Sequence, residues 1–148
     1  MRLENRDTLG YILVARTLER IASHVGNLTR AVSGVDKPLS KQMIQKLSSM
    51  NERACTLVDE ALLSLFKRDS EGADAVIEKA RAFVEGETEV IKSLNGSDSQ
   101  TYYALHVLMD SQRRVAEYAK DIAEVVLDMT VGRTLRKEEL PVPQVLYS

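Results

Sequence analysis

Prolines stand only at positions 38, 141 and 143 of this 148-residue chain. Proline is the residue that ends helices most decisively, and the glycines and polar clusters mark only a few further breaks, so the sequence between them is free to form long uninterrupted helices. The apolar residues follow that lead. In the first segment Leu9, Val14, Leu18, Ile21, Val25, Leu28 and Val32 recur mostly in steps of 4 and 3, which places them on one helical face. Gly34 follows as a C-terminal cap, and Asp36 with Pro38 restart a helix as N-cap and first-turn proline.

Three more segments repeat the pattern. Met43, Leu47, Met50, Ala54, Leu57, Ala61 and Ser64 form the inward seam of the second, which stops near "KRDSEG". The third starts at Asp69 or Ser70 and carries Ala73, Val76, Ala80, Phe83, Glu87, Val90 and Leu94, after which "NGSDS" supplies a cap, a turn and a new N-cap. The fourth runs from about Gln100 to Val131 with Leu108, Ser111, Val115, Tyr118, Ile122, Val125 and Met129 inward, and Gly132 closes it. Each helix spans roughly 35 to 45 Å at the helical rise per residue.

Four long antiparallel helices with short connections specify an all-α fold, an up-and-down bundle over residues 1–133, followed by an extended tail over 134–148 that contains two prolines. Arg133, Arg136 and Lys137 are expected just past the last helix, where positive charge suits its dipole. A hydrophobic fraction of 44% with 28% charged residues fits one domain with its own core. The formal charge of -2, without a long block of one sign, argues against direct nucleic-acid binding. No apolar run approaches the length of a membrane span, so no membrane insertion is expected. The single cysteine, Cys55, excludes an internal disulfide and suits a reducing, cytoplasmic setting.

One polar feature stands beside the core seam of the fourth helix: Asp110, Arg114, Glu117, Asp121, Glu124 and Asp128, spaced 4, 3, 4, 3 and 4. Carboxylates one turn apart, such as Glu117 and Asp121, repel unless they are solvated, paired or bridged by a cation, and hard cations prefer such oxygen ligands. The stripe is therefore either a solvated face neutralised by neighbouring Arg113, Arg114 and Lys120 or by first-helix arginines, or a cation site. Laying Glu19 on Glu117 also brings Arg16 onto Arg114 and Ser23 onto Asp121, 98 residues apart, as an internal duplication would.

"LVARTLERIASHVGNLTRAV" resembles the R-x-L-E-R-I-x-D-H-x-x-N helix of the PhoU family of phosphate-uptake regulators, and "DSQRRVAEYAKDIAEVVLD" resembles the R-R-I-A-E-Y-x-x-D-I-A-E helix of its archaeal members. The similarity covers residues 8 to 133. It implies two repeats of three helices, each with a third helix carrying an E/D-x-x-x-D metal motif. Glu117 and Asp121 match that motif in full; on the first helix Glu19 matches, but Ser23 stands where an aspartate is expected. The resemblance implies a divalent or trivalent metal cluster (iron, zinc, manganese or magnesium) held by Glu117, Asp121 and Glu19, and His24 and Asn27 offer further donor atoms. It further implies a non-enzymatic role in phosphate uptake and phosphate-starvation signalling, with a phosphate transporter ATPase or a sensor kinase as partner. Two helices of the family's first repeat are missing ahead of "LENRDTLGYILVARTLER", so the first helix is expected to complete the second repeat or to cross to another subunit in a dimer.

Other residues carry less. Glu85 and Glu89 flank Glu87 in an acidic patch expected to be a solvated face near a helix end. Cys55, beside Ala54, is expected to be a small buried hydrophobe. His24 is expected to be a surface or hydrogen-bonded residue, and His106 has only Asp110 within a turn. Neither histidine follows a Glu by three residues, as a di-iron bundle requires, and the chain contains no phosphate loop, no nucleophile elbow and no zinc spacing. The rivals to the regulator reading are a structural or oligomerising bundle that has lost its metal site, which Ser23 favours, and the effector half of a transcriptional regulator.

Overall fold

The computed structural model describes residues 5–35, 37–92 and 98–137, and among them the chain is an all-helical bundle. Its elements are α1 (Asn5–Ser33), α2 (Lys41–Lys67), α3 (Ser70–Lys92) and α4 (Ser99–Lys137).

Short polar side chains set the helix starts. Asp69 Oδ1 accepts the Gly72 N–H at 3.0 Å, and Asp98 accepts both the Thr101 N–H at 3.1 Å and its hydroxyl at 2.9 Å. The expected restart at Asp36 and Pro38 is corrected: Ser40 caps α2, its hydroxyl accepting the Met43 N–H at 3.1 Å. Leu39 and Ile44 then occupy the two positions of a hydrophobic staple, which fixes the entry of the chain there; Asp36 lies outside the described residues. At its other end α2 stops on Arg68, whose φ of 56° and ψ of 42° are left-handed, and Asp69 N–H closes the turn on Ser64 O at 2.9 Å.

The end of α4 also differs from expectation. The helix passes through Gly132 and runs to Lys137, so Arg133, Arg136 and Lys137 belong to its last turns and residues 134–137 are not tail. A helical glycine costs only about 1 kcal/mol against alanine, too little to stop a helix whose next residues favour it. Residues 138–148 lie outside the described residues.

All three other helices pack on α4, and α2 packs on α3, whereas α1 approaches neither α2 nor α3 at the backbone. The bundle is thus a three-helix unit, α2–α3–α4, with α1 laid along the free side of α4. Gly10 abuts Val125 and Met129, while the Gln100 amide reaches Gly34 O at 3.3 Å, so α1 and α4 run antiparallel. Ala116, Ala119 and Ala123 are completely buried on α4 and let its neighbours come close; Phe83, Leu105, Met109, Ile122, Val76 and Val126 fill the core around them.

The seam of α2 is as expected, apart from Met43, which is half-buried. On α3 the expected seam is buried as far as Glu87 and half-buried at Val90, while Leu94 lies outside the described residues. That of α1 is corrected. Leu9, Leu18, Val25 and Val32 are 56%, 37%, 52% and 58% exposed. The inward positions are Asp7, Gly10, Val14, Thr17 and Ala31, with Ile21, His24 and Leu28 half-buried. A helix held by one neighbour can bury only one narrow stripe, and the stripe chosen is the one that matches α4: shifted by 98 residues it falls on Leu105, Leu108, Gln112, Val115, Ala119, Ile122, Val126 and Met129, each buried or half-buried. Because three helices pack on α4, most of its positions are buried or half-buried, so this coincidence is compatible with the duplication suggested by Arg16, Glu19 and Ser23 and does not by itself extend it.

Candidate functional site on α3 and α4

The acidic stripe of α4 is organised by the residue beside it, Arg113. Its guanidinium bonds Asp110 within α4, approaches Glu117 Oε1 at 3.5 Å one turn on, and reaches across to Glu87 Oε2 of α3 at 3.4 Å. Arg114 meets the other Glu117 oxygen at 3.3 Å, and Lys120 stands 3.6 Å from Glu124. Three carboxylates share one cation, and the Glu87 contact joins α3 to α4.

Burial separates the members of this network electrostatically. Glu87 is 8% exposed, in line with its place on the α3 seam, so the solvated face expected of the acidic patch holds at Glu85 and not at Glu87. Burial raises its pKa above the ordinary glutamate range; Arg113 opposes the shift, and the charge of Asp110 adds to it. Asp110 is pulled the other way: burial disfavours its charge, but the hydrogen bond and charge of Arg113 outweigh burial and hold its pKa low. Arg113 is in turn held more firmly protonated, first by its bond to Asp110. Asp121 is half-buried, and burial followed by the nearby Glu124 raises its pKa against the pull of Lys120 and Arg20. The Glu89 side chain lies outside the described residues.

The candidate ligands do not converge. Among the described residues, which include Glu19, Glu117 and Asp121, no group of three or more His, Cys, Asp or Glu side chains is arranged to hold a metal ion. Both Glu117 oxygens face guanidinium groups, and the Ser23 hydroxyl donates to Glu19 O of its own helix at 3.1 Å. As arranged, these residues do not fit the cluster that the resemblance implies. His24 is half-buried rather than solvated: its Nδ1 is enclosed without a hydrogen-bond partner, and its ring lies 5.6 Å from that of Tyr118 on α4. Cys55 is exposed, which corrects the expectation of burial.

Two features escaped the sequence reading. Asp7, 3% exposed, accepts a 3.1 Å ion-paired bond from Arg68, the left-handed cap of α2, and so ties the start of α1 to the α2–α3 turn. The second is a groove of about 700 Å³ between the end of α1 and the start of α2, walled by Leu28, Val32, Ile44 and Leu47 and floored by Leu105 and Gln112. Gln112, 3% exposed, donates to Leu47 O at 3.1 Å, and its own Oε1 has no partner. Transferring the expected α4 seam to α1 by the 98-residue shift would have marked Gly10, Thr17, His24 and Ala31 as inward, but also the exposed Leu13 and Arg20, and it would have missed Asp7.

Comparison of the chain with protein-family models, with curated proteins and with solved structures finds no match. Among the described residues no helix is long and apolar enough to cross a membrane.

Proposed function

We propose that this protein is a non-enzymatic regulator of phosphate uptake that works by protein contact, the role its PhoU-like helices imply. The observation that supports the reading is the R-x-x-E pattern that α1 and α4 share at a 98-residue shift, as two repeats with equivalent third helices would; at the same shift the buried stripe of α1 falls on buried or half-buried positions of α4. The charged face of α3 and α4, centred on Arg113, then serves as the docking surface for a transporter ATPase or a kinase. Salt-sensitive, sequence-specific association is what such a mixed-charge face is suited to.

Within that reading the face works without a metal. Ser23 in place of a carboxylate and the capture of Glu117 by two arginines favour this form over a metal-loaded one. The test is phosphate uptake by the native host grown with ample phosphate. Deletion of the gene is expected to raise uptake, and complementation by a chain carrying R114E and E124K, which inverts two exposed charges of the face, is expected to fail. Unchanged uptake in the deletion strain would refute the role in phosphate transport.

A further inference from the structure

Beside its inward stripe α1 carries a second seam of the same spacing. Small residues, Thr8, Ala15, Ala22 and Thr29, alternate with larger ones, Tyr11, Leu18, Val25 and Val32. No member is charged, and all but the half-buried Tyr11 are exposed. Val32 lines the groove toward α2 at one end of this seam, and Tyr11 lies beside Arg68 of the α2 cap at the other, so the whole seam flanks α2. The facing side of α2 has the same character: from Ile44 to Leu65 its positions in steps of 4 and 3 are uncharged, with Ile44 and Cys55 exposed and Val58 and Leu62 half-buried. Two uncharged strips thus border one cleft, with Lys37 and Glu52 at its α2 end, and none of the described helices covers it.

The composition of the α1 seam says what covers it. On α4 the equivalent seam is covered by α3, and there Arg113 supplies the cation for Glu87. The α1 residue 98 positions earlier is Ala15, so a helix like α3 would find no partner for its buried acid. A helix that alternates small and large residues instead complements its own antiparallel copy. With Leu18 set against Ala22 of a second copy, Ala15 meets Val25, Tyr11 meets Thr29 and Thr8 meets Val32, each a small residue against a larger one. The α1 strip is about 36 Å long and about 10 Å wide. Together with the α2 strip it offers about 700 Å² per copy, close to the ~800 Å² that a stable interface takes from each partner.

We propose that the α1–α2 cleft is the interface of a two-fold dimer, in which α1 packs antiparallel on α1 of a second copy and α2 on its counterpart. Asp7 is level with Arg68, and Leu28 and Val32 are level with Ile44 and Leu47. The midpoint between Leu18 and Ala22 therefore falls within about one helical turn of Cys55. The two-fold axis brings the Cys55 thiols of the two copies together. This assembly is independent of the phosphate role, and its failure would leave that role standing.

The experiment is sedimentation equilibrium of the full chain, joined to mild copper-catalysed oxidation by dissolved oxygen. Each disulfide formed takes two electrons and two protons from the thiols. The wild type is expected at twice its 16.5 kDa mass. L18E with V25E, both at exposed positions, is expected to raise the dimer dissociation constant about 100-fold or more while helix content is kept, and A22E alone is to act in the same direction. Oxidation is expected to give a disulfide-linked dimer that is absent in C55S and in L18E/V25E. A wild-type monomer at tens of micromolar, or a dimer indifferent to L18E/V25E and A22E, overturns the proposal. A dimer that those variants break but that never cross-links through Cys55 overturns its antiparallel register.

Discussion

Replacing Arg113 by alanine removes the cation that Glu87, Asp110 and Glu117 share, and the cost can be worked from the burial of Glu87. Breaking a buried ion pair from one side costs about 3–5 kcal/mol, because the remaining charge stays desolvated. The Arg113 side chain is 30% exposed and that of Glu87 10%, so solvent screens part of the interaction and about 2–3 kcal/mol is expected. E87Q removes the buried charge itself and is expected within about 1 kcal/mol of wild type, so the double variant R113A/E87Q should recover about 1–2 kcal/mol relative to R113A. Protonation gives a second handle. Burial raises the folded-state pKa of Glu87 above its unfolded value, so the folded chain binds more protons between the two values. Stability from this group is full below the unfolded pKa and falls as pH rises through the folded one. Loss of Arg113, which opposes the shift, widens that window; the deficit of R113A should grow as pH rises above the ordinary glutamate range, and that of R113A/E87Q should not. Urea unfolding followed by helical circular dichroism measures all four chains. An R113A cost below about 1 kcal/mol, or a double variant no more stable than R113A, would refute the reasoning.

Two further perturbations use the same assay. R68A is expected to cost about 2 kcal/mol by taking the guanidinium from buried Asp7, while R68G should cost about 1 kcal/mol less because glycine accepts the left-handed cap freely; equal losses would mean that the φ of 56° at Arg68 carries no strain. A Cβ at Gly10 would lie 2.7 Å from Met129 Sδ and 3.2 Å from Val125, whereas one at Gly26 would meet nothing within 4 Å. G10L is therefore expected to lose about 2 kcal/mol and to weaken amide protection in α1 first, and G26A to gain about 0.5–1 kcal/mol; a destabilised G26A would show that this part of α1 is packed on its outer side.

The sequence was most legible where a helix has neighbours on one broad side. Every expected inward position of α2 from Leu47 to Ser64 is buried, because α3 and α4 together cover the face that its apolar period marks. The helix-start signals at Asp69 and Asp98 held for the same local reason: a carboxylate satisfies first-turn N–H groups whatever surrounds it. On α1 the period misled. Its seam follows hydrophobicity, yet Leu18, Val25 and Val32 are exposed while Asp7, Gly10 and Thr17 are buried. Hydrophobic residues on that helix mark two seams, and a single window of periodicity merges them.

The candidate site was legible in its residue types and not in its pairings. Spacing placed Glu117 and Asp121 one turn apart but gave no sign that the neighbouring arginine would turn toward α3, because that depends on Glu87 being buried across the interface. Once Glu87 is desolvated, its strongest available compensation is a guanidinium, whose fork can reach three acids at once. Arg113 is drawn there, and Glu117 follows it by charge and by its place one turn along. The carboxylate that the spacing offers to a cation is thereby committed to the structure of the α3–α4 contact. Asp121 has no such bridge from α3 among the described residues, and burial, followed by the charge of Glu124, raises its pKa.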